Sequence, residues 1–163
     1  MKTSVYIDSA NIEFGCKNVG LNLSYKKLFI YLKNKFKTSD INYFVGYIEK
    51  RKYIYDQLAS YGYIHQFKEV TTHKGVIKGN VDSEMVLKIV IDIIENKVER
   101  IALCSGDGDF SCLIKFAIER NVDVWVLAPD MNKCSHLIRK FSHKIKVVYL
   151  EKVSKDKLEI EKE

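Results

Sequence analysis

Apolar and polar positions along the chain switch repeatedly between two periods. Thr3 to Ile7 is a short, apolar-leaning run that ends at Asp8 and predicts a buried strand. From Ser24 to Phe36, apolar residues fall at Leu28, Phe29, Tyr31, Leu32 and Phe36. That is helical spacing, with Ser24 placed to cap the helix start. Ile41 to Ile48 is β-branched and aromatic, a second strand. Lys52 to Tyr61 predicts a short helix that Gly62 closes, and Tyr63 to Phe67 a third strand. Glu69 to Asn80 breaks the pattern with a polar, basic, glycine-containing loop or hairpin.

Asp82 to Asn96 is helical. Val86, Leu87, Val90, Ile91, Ile93 and Ile94 predict a broad apolar face, and Glu84, Lys88, Asp92 and Glu95 a charged, solvated stripe. Arg100 to Cys104 is a fourth strand, followed by Ser-Gly-Asp-Gly-Asp at 105–109. Phe110 to Arg120 predicts a helix, Val122 to Leu127 a strand, Lys133 to Lys140 a helix and Ile145 to Leu150 a last strand. Glu151 to Glu163 is highly charged and predicts a frayed or helical tail. Strands and helices alternate throughout. This argues for an α/β fold, a parallel sheet with helices on both faces, in one domain over residues 1–150 followed by the tail at 151–163.

Composition narrows the class. With 47% hydrophobic and 29% charged residues among 163, the chain can build one ordinary core. No apolar run approaches the about 20 residues that span a bilayer. The first residues show no signal-peptide pattern, so a cytoplasmic location is expected. Cys16, Cys104, Cys112 and Cys134 form no CxxC and have no histidine at zinc-ligand spacing. Cys104 and Cys112, inside apolar runs, predict small core residues. The net charge of +6 suits a polyanionic partner.

In a parallel sheet of this kind ligands bind beyond the carboxyl ends of the strands, where strand order reverses. Asp8 follows the first strand, Asp107 and Asp109 follow the fourth, and Asp82 opens the helix that leads into the fourth. Each has an ordinary explanation as a turn or helix-capping residue. Together they predict four carboxylates at one end of the sheet. Two like charges at about 4 Å cost on the order of 4 kcal/mol at an effective dielectric of 20. A hard divalent cation, Mg²⁺ or Mn²⁺, relieves that repulsion, and ions so held activate water against phosphodiesters. The glycines at 106 and 108 are expected to let the backbone approach an ion or phosphate. Glu84 shares the first turn with Asp82 and is a candidate supporting group, whereas Asp92 reads as a surface residue paired with Lys88. An EF-hand starting at Asp107 is excluded by Cys112 and Ile118 at its sixth and twelfth positions. No dinucleotide fingerprint, P-loop or Ser-His-Asp set is present.

Three stretches resemble the NYN family, in its LabA-like/DUF88 branch of the PIN-like nuclease superfamily. They are Tyr6-Ile-Asp-Ser-Ala-Asn11, Lys78-Gly-Asn-Val-Asp-Ser-Glu-Met-Val-Leu87 and Ile101-Ala-Leu-Cys-Ser-Gly-Asp-Gly-Asp-Phe110. The resemblance spans about residues 1 to 150. It implies a Rossmann-like α/β/α sandwich and RNA cleavage dependent on Mg²⁺ or Mn²⁺. By position, Asp8, Asp82, Asp107 and Asp109 look like its acidic site, and Asn11 and Ser105 like polar supports. Many relatives carry a further Asp where this chain has Lys88, which the charged stripe places toward solvent. Lys74, Lys78, Arg51, Lys52, Lys133 and Arg139 are candidate phosphate contacts. A non-catalytic RNA-binding module is the main alternative. Asp107-Gly-Asp109 superficially gives the DxD of haloacid-dehalogenase-like phosphatases, but the preceding Ser-Gly and following Phe110 depart from their pattern. A DNA flap nuclease would need added elements to grip a duplex. The ten tyrosines and the apolar content are compatible with a homodimer without demanding one.

Overall fold

The computed structural model describes residues 1–73, 76–78 and 81–161. Its centre is a six-stranded sheet of β1 (Thr3–Asp8), β2 (Ile41–Gly46), β3 (Ile64–Lys68), β6 (Arg100–Cys104), β7 (Asp123–Ala128) and β8 (Lys146–Tyr149). The order is β3-β2-β1-β6-β7-β8 and every pairing is parallel. The order reverses between β1 and β6, where Ile7 pairs with Cys104. This is the expected α/β sandwich. A separate antiparallel pair, β4 (Thr71–His73) and β5 (Val76–Lys78), forms the hairpin anticipated in the polar stretch.

Two cores form because side chains alternate across a strand. Val5 and Ile7 of β1, with Ala102 and Cys104 of β6, pack beneath α1 (Ser9–Asn18), α2 (Tyr25–Phe36) and α3 (Lys52–Tyr61). Tyr6, Ile101 and Leu103 face the other way, toward α4 (Val81–Ile94), α5 (Ser111–Glu119) and α6 (His136–Arg139). Ser24 caps α2 by accepting from the Lys27 amide at 3.3 Å. Gly62 ends α3 at a φ of +111° beneath the Phe29 ring, a place that both the backbone and the space reserve for glycine.

Local pattern and structure part at several places. Helix α1 has no apolar stripe in the sequence to announce it; only Ser9, Ile12 and Cys16 are buried, and Asp8 caps it. The helix expected at Lys133 to Lys140 shortens to four residues because Asp130 and Ser135 hold the preceding segment in turns. Cys112 is exposed, not a core residue, because it lies on the outer side of α5. Among the described residues, the tail expected as frayed or helical takes two short 3₁₀ turns, Leu150–Lys152 and Lys155–Lys157. It returns to the start of α2, where the Ser24 amide donates to the Leu158 carbonyl at 2.7 Å and Leu158 is fully buried.

Helix α4 is rotated from its expected setting. Met85, Ile89 and Ile93 face the core, while Leu87, Ile91 and Ile94 are 57%, 39% and 55% exposed. Asp92, expected at the surface, is buried. The reason is chemical. Helix α4 carries apolar residues on nearly every side, so its widest apolar arc does not decide which strip packs. The Tyr6 hydroxyl on β1 needs an acceptor, and it donates to Asp92 Oδ2 at 2.8 Å. Lys88, one turn earlier, donates to Asp92 Oδ1 at 2.6 Å, so its ammonium serves the buried carboxylate. Burial and the neighbouring Asp92 charge push the Tyr6 phenol far above its ordinary range, so it remains a donor.

Removing the lysine alone strands a buried charge. Lys88→Met should lower stability by about 2–3 kcal/mol in urea unfolding, and by less than half that in an Asp92→Asn background. Equal losses in both backgrounds would mean that the pairing does not hold α4.

Candidate metal centre

Asp8 is the last residue of β1 and the N-cap of α1. It shares its strand face with Tyr6, so its carboxylate lies on the α4 side of the sheet. Beside it, the chain leaves β6 through Ser105, Gly106 and Asp107. The register Ile7 with Cys104 puts Ser105 next to Asp8, and the Ser105 hydroxyl donates to Asp8 Oδ2 at 3.0 Å. The Asn11 amide donates to Asp8 Oδ1 at 3.3 Å. Asp107 caps the short 3₁₀ turn Gly108–Phe110, and its amide donates to Ser105 Oγ at 3.1 Å. Asp82 enters from the first turn of α4. One carboxylate oxygen from each of Asp8, Asp82 and Asp107 lies within 4.8 Å of the other two.

Capping and ligation are compatible. An ionised carboxylate offers about four lone-pair sites. Asp8 gives one on each oxygen to Ser105 and Asn11, which fixes its plane and leaves acceptor capacity toward the other two acids. Such an all-oxygen set suits a hard divalent cation. The electrostatics agree: burial and then the charge of Asp82 push the Asp8 carboxyl up to about 6. Burial, then Asp107 and Asp109, raises Asp82 as well.

The other expected residues divide. Asp109 is exposed and stands outside the group of three, yet close enough to act on Asp82; its amide donates to Asp107 Oδ1 at 3.0 Å. Asn11 joins the site through its side chain, whose Oδ1 accepts from the Gly106 amide at 2.9 Å. Glu84 is not among the three. Its exposed carboxylate lies 3.9 Å from Lys68, in a groove along β2, β3 and α4. Arg51 pairs with Glu13 of α1 at 3.3 Å and Lys52 with Asp56 at 2.9 Å, both at the surface. Lys133 is exposed in the turn before α6, which Arg139 ends. Lys78 lies in β5, and Lys74 lies outside the described residues. The loop glycines serve packing. A Cβ on Gly108 would fall 2.4 Å from Ser135 Oγ, and one on Gly106 would fall 3.3 Å from the Ala128 Cβ.

One acid escaped sequence reading. Asp130 follows β7 as Asp107 follows β6, and it is buried with Oδ1 accepting from the Asn132 amide at 2.8 Å. Its signal in the sequence is its place just past the strand that ends at Ala128.

Residues 2–150 match the NYN domain family, and the chain belongs to it. NYN domains are members of the PIN-like nuclease superfamily, in which divalent metals at acidic sites are typical. A crystal structure of a protein of unknown function from Vibrio parahaemolyticus has the same fold, with a TM-score of 0.71 at 19% identity over 92% of this chain and 93% of that one. No curated protein matches the chain. Among the described residues, no helix is long and apolar enough to cross a membrane.

The raised Asp8 value makes a signed prediction. A carboxyl that binds its proton more tightly when folded stabilises the fold while protonated. That contribution is complete below its ordinary value of 3.8 and is lost as pH rises through about 6. In metal-free protein at pH 7, Asp8→Asn should therefore be more stable than the unaltered chain by about 2–3 kcal/mol, the gap closing near pH 4. Denaturant unfolding in EDTA at both pH values measures it. A variant that is less stable at pH 7 would refute strain at this carboxylate.

Proposed function

We propose that this chain is a metal-dependent endoribonuclease, of the LabA-like/DUF88 branch of the NYN family, that hydrolyses RNA phosphodiester bonds. The observation that carries this reading is the convergence of Asp8, Asp82 and Asp107 within 4.8 Å at the reversal point of the sheet. Asp109, acting on Asp82 from outside the trio, completes the acidic set. The net charge of +6 and the basic side chains of Lys133 and Arg139 favour a polyanionic substrate in the cytoplasm.

Asp8, Asp82 and Asp107 would hold Mg²⁺ or Mn²⁺, which would polarise a water and offset charge on the scissile phosphate. The protein's own groups do the positioning. Ser105 and the Asn11 amide hold the Asp8 carboxylate in one orientation, and the Asp109 amide holds Asp107. The Asn11 side chain ties α1 to the Gly106 backbone, joining the start of the helix after β1 to the loop after β6. In the overall reaction water adds to phosphorus, one P–O bond breaks, and the leaving oxygen takes a proton.

A labelled single-stranded RNA incubated with Mg²⁺ or Mn²⁺ should be cut. EDTA and Asp107→Asn should each abolish cutting, and Ser105→Ala should slow it by about 10–100-fold. RNA binding without cleavage in either metal would favour a non-catalytic RNA-binding module. Cleavage that survives EDTA would remove the aspartates from the mechanism.

A further inference from the structure

The wall that Asn11 and Gly106 form on the metal centre has a second side. There, between α1 and the turn after β7, lies a crevice of about 160 Å³. Asn11, Phe14 and Asn18 line it from α1, at the spacing of one helix face. Pro129, Asp130 and Lys133 line it from the β7 side. The two walls meet closely: a Cβ on Gly15 would fall 2.4 Å from the Pro129 ring. Phe14 is 69% exposed, whereas Ile12 on the inner side of α1 is fully buried. An exposed ring at a crevice mouth offers a flat π-face to a planar ligand. Asp130 is 7% exposed and offers only acceptors, one of them already given to the Asn132 amide. Lys133 supplies a cation at the rim.

We infer that this crevice receives a guanine base of single-stranded RNA, stacked on Phe14, with its N1–H and N2–H₂ edge donating to Asp130. The inference rests on the ribonuclease reading, since the crevice shares Asn11 and Gly106 with the acidic site. Stacking on an aromatic side chain is how proteins hold unpaired bases, and every base has the face for it. The carboxylate makes the choice among bases. Guanine alone presents two adjacent donors on its Watson–Crick edge, whereas uracil's single donor sits between carbonyls that an anion repels. Lys133 at the rim takes the flanking phosphate. A base seated here would set which phosphodiester reaches Asp8, Asp82 and Asp107.

The test uses fluorescein-labelled U₆ and U₃GU₂ hexanucleotides, titrated by anisotropy in EDTA so that nothing is cut. The guanosine-containing strand should bind about 10-fold more tightly. Phe14→Ala should weaken both strands by about 10-fold, and Phe14→Leu should behave like Phe14→Ala because bulk without a π-face does not stack. Asp130→Asn should equalise the two strands, weakening U₃GU₂ and tightening U₆, because the charge that repels the uracil carbonyls is gone. No binding by the unaltered protein, equal binding of both strands, or full recovery in Phe14→Leu would overturn the inference. Parallel incubations with Mn²⁺ separate the two readings. Metal-dependent cleavage that is the same in Phe14→Ala overturns the crevice and leaves the nuclease standing. Binding that depends on Phe14, with no cleavage, supports the crevice and defeats the nuclease.

Discussion

The parallel pairing of β1 with β6 governs everything at the active end of this sheet. It sets Ile7 beside Cys104, so both chains leave the sheet at the same height and on adjacent tracks. One residue further on, Asp8 and Ser105 meet at 3.0 Å. Side chains alternate across a strand, so a slip of one residue would turn Asp8 away from α4 and bury a charge beneath α1. The register is protected by the cores on both faces. Val5, Ile7, Ala102 and Cys104 pack on one side, and Tyr6, Ile101 and Leu103 on the other. The geometry of the acids is therefore inherited from apolar packing that has nothing to do with their charge.

That inheritance explains what the sequence made legible. The parallel sheet, its six strands and the convergence of Asp8, Asp82 and Asp107 follow from alternation of elements and from the placement of acids just past strand ends. Local pattern fails where tertiary chemistry decides. Helix α1 is held by its Asp8 cap and three buried side chains, a signal too small to register as a helical stripe. Helix α4 is so apolar that its pattern gives no direction, and one phenol on β1 selects the buried strip. Gly106 and Gly108 stand in the sequence as openings toward a ligand, yet in the fold Gly108 is tight against Ser135 and Gly106 against Ala128. Their function is to let the turn before α6 close down on the loop, which aims Asp107 indirectly.

Tyr6, Lys88 and Asp92 sit on β1 and α4, the same two elements that carry Asp8 and Asp82 of the acidic trio. Asp82 must come close to Asp8 although both are acids, and Asp8 responds with a carboxyl pushed up to about 6. Something has to hold the start of α4 against that repulsion when no cation is bound. Met85, Ile89 and Ile93 supply apolar contact. That contact alone would tolerate sliding or rotation, because Leu87, Ile91 and Ile94 could serve almost as well against the sheet. A hydrogen bond from a fully buried phenol to a buried carboxylate tolerates neither, since a misplaced helix would leave both groups unsatisfied at a cost of about 1–3 kcal/mol each. The polar group thus adds specificity of setting where the apolar residues add only adhesion. Lys88, expected on a solvated stripe, instead directs its ammonium onto Asp92, one turn further from Asp82, and so serves the anchor that keeps α4 in place.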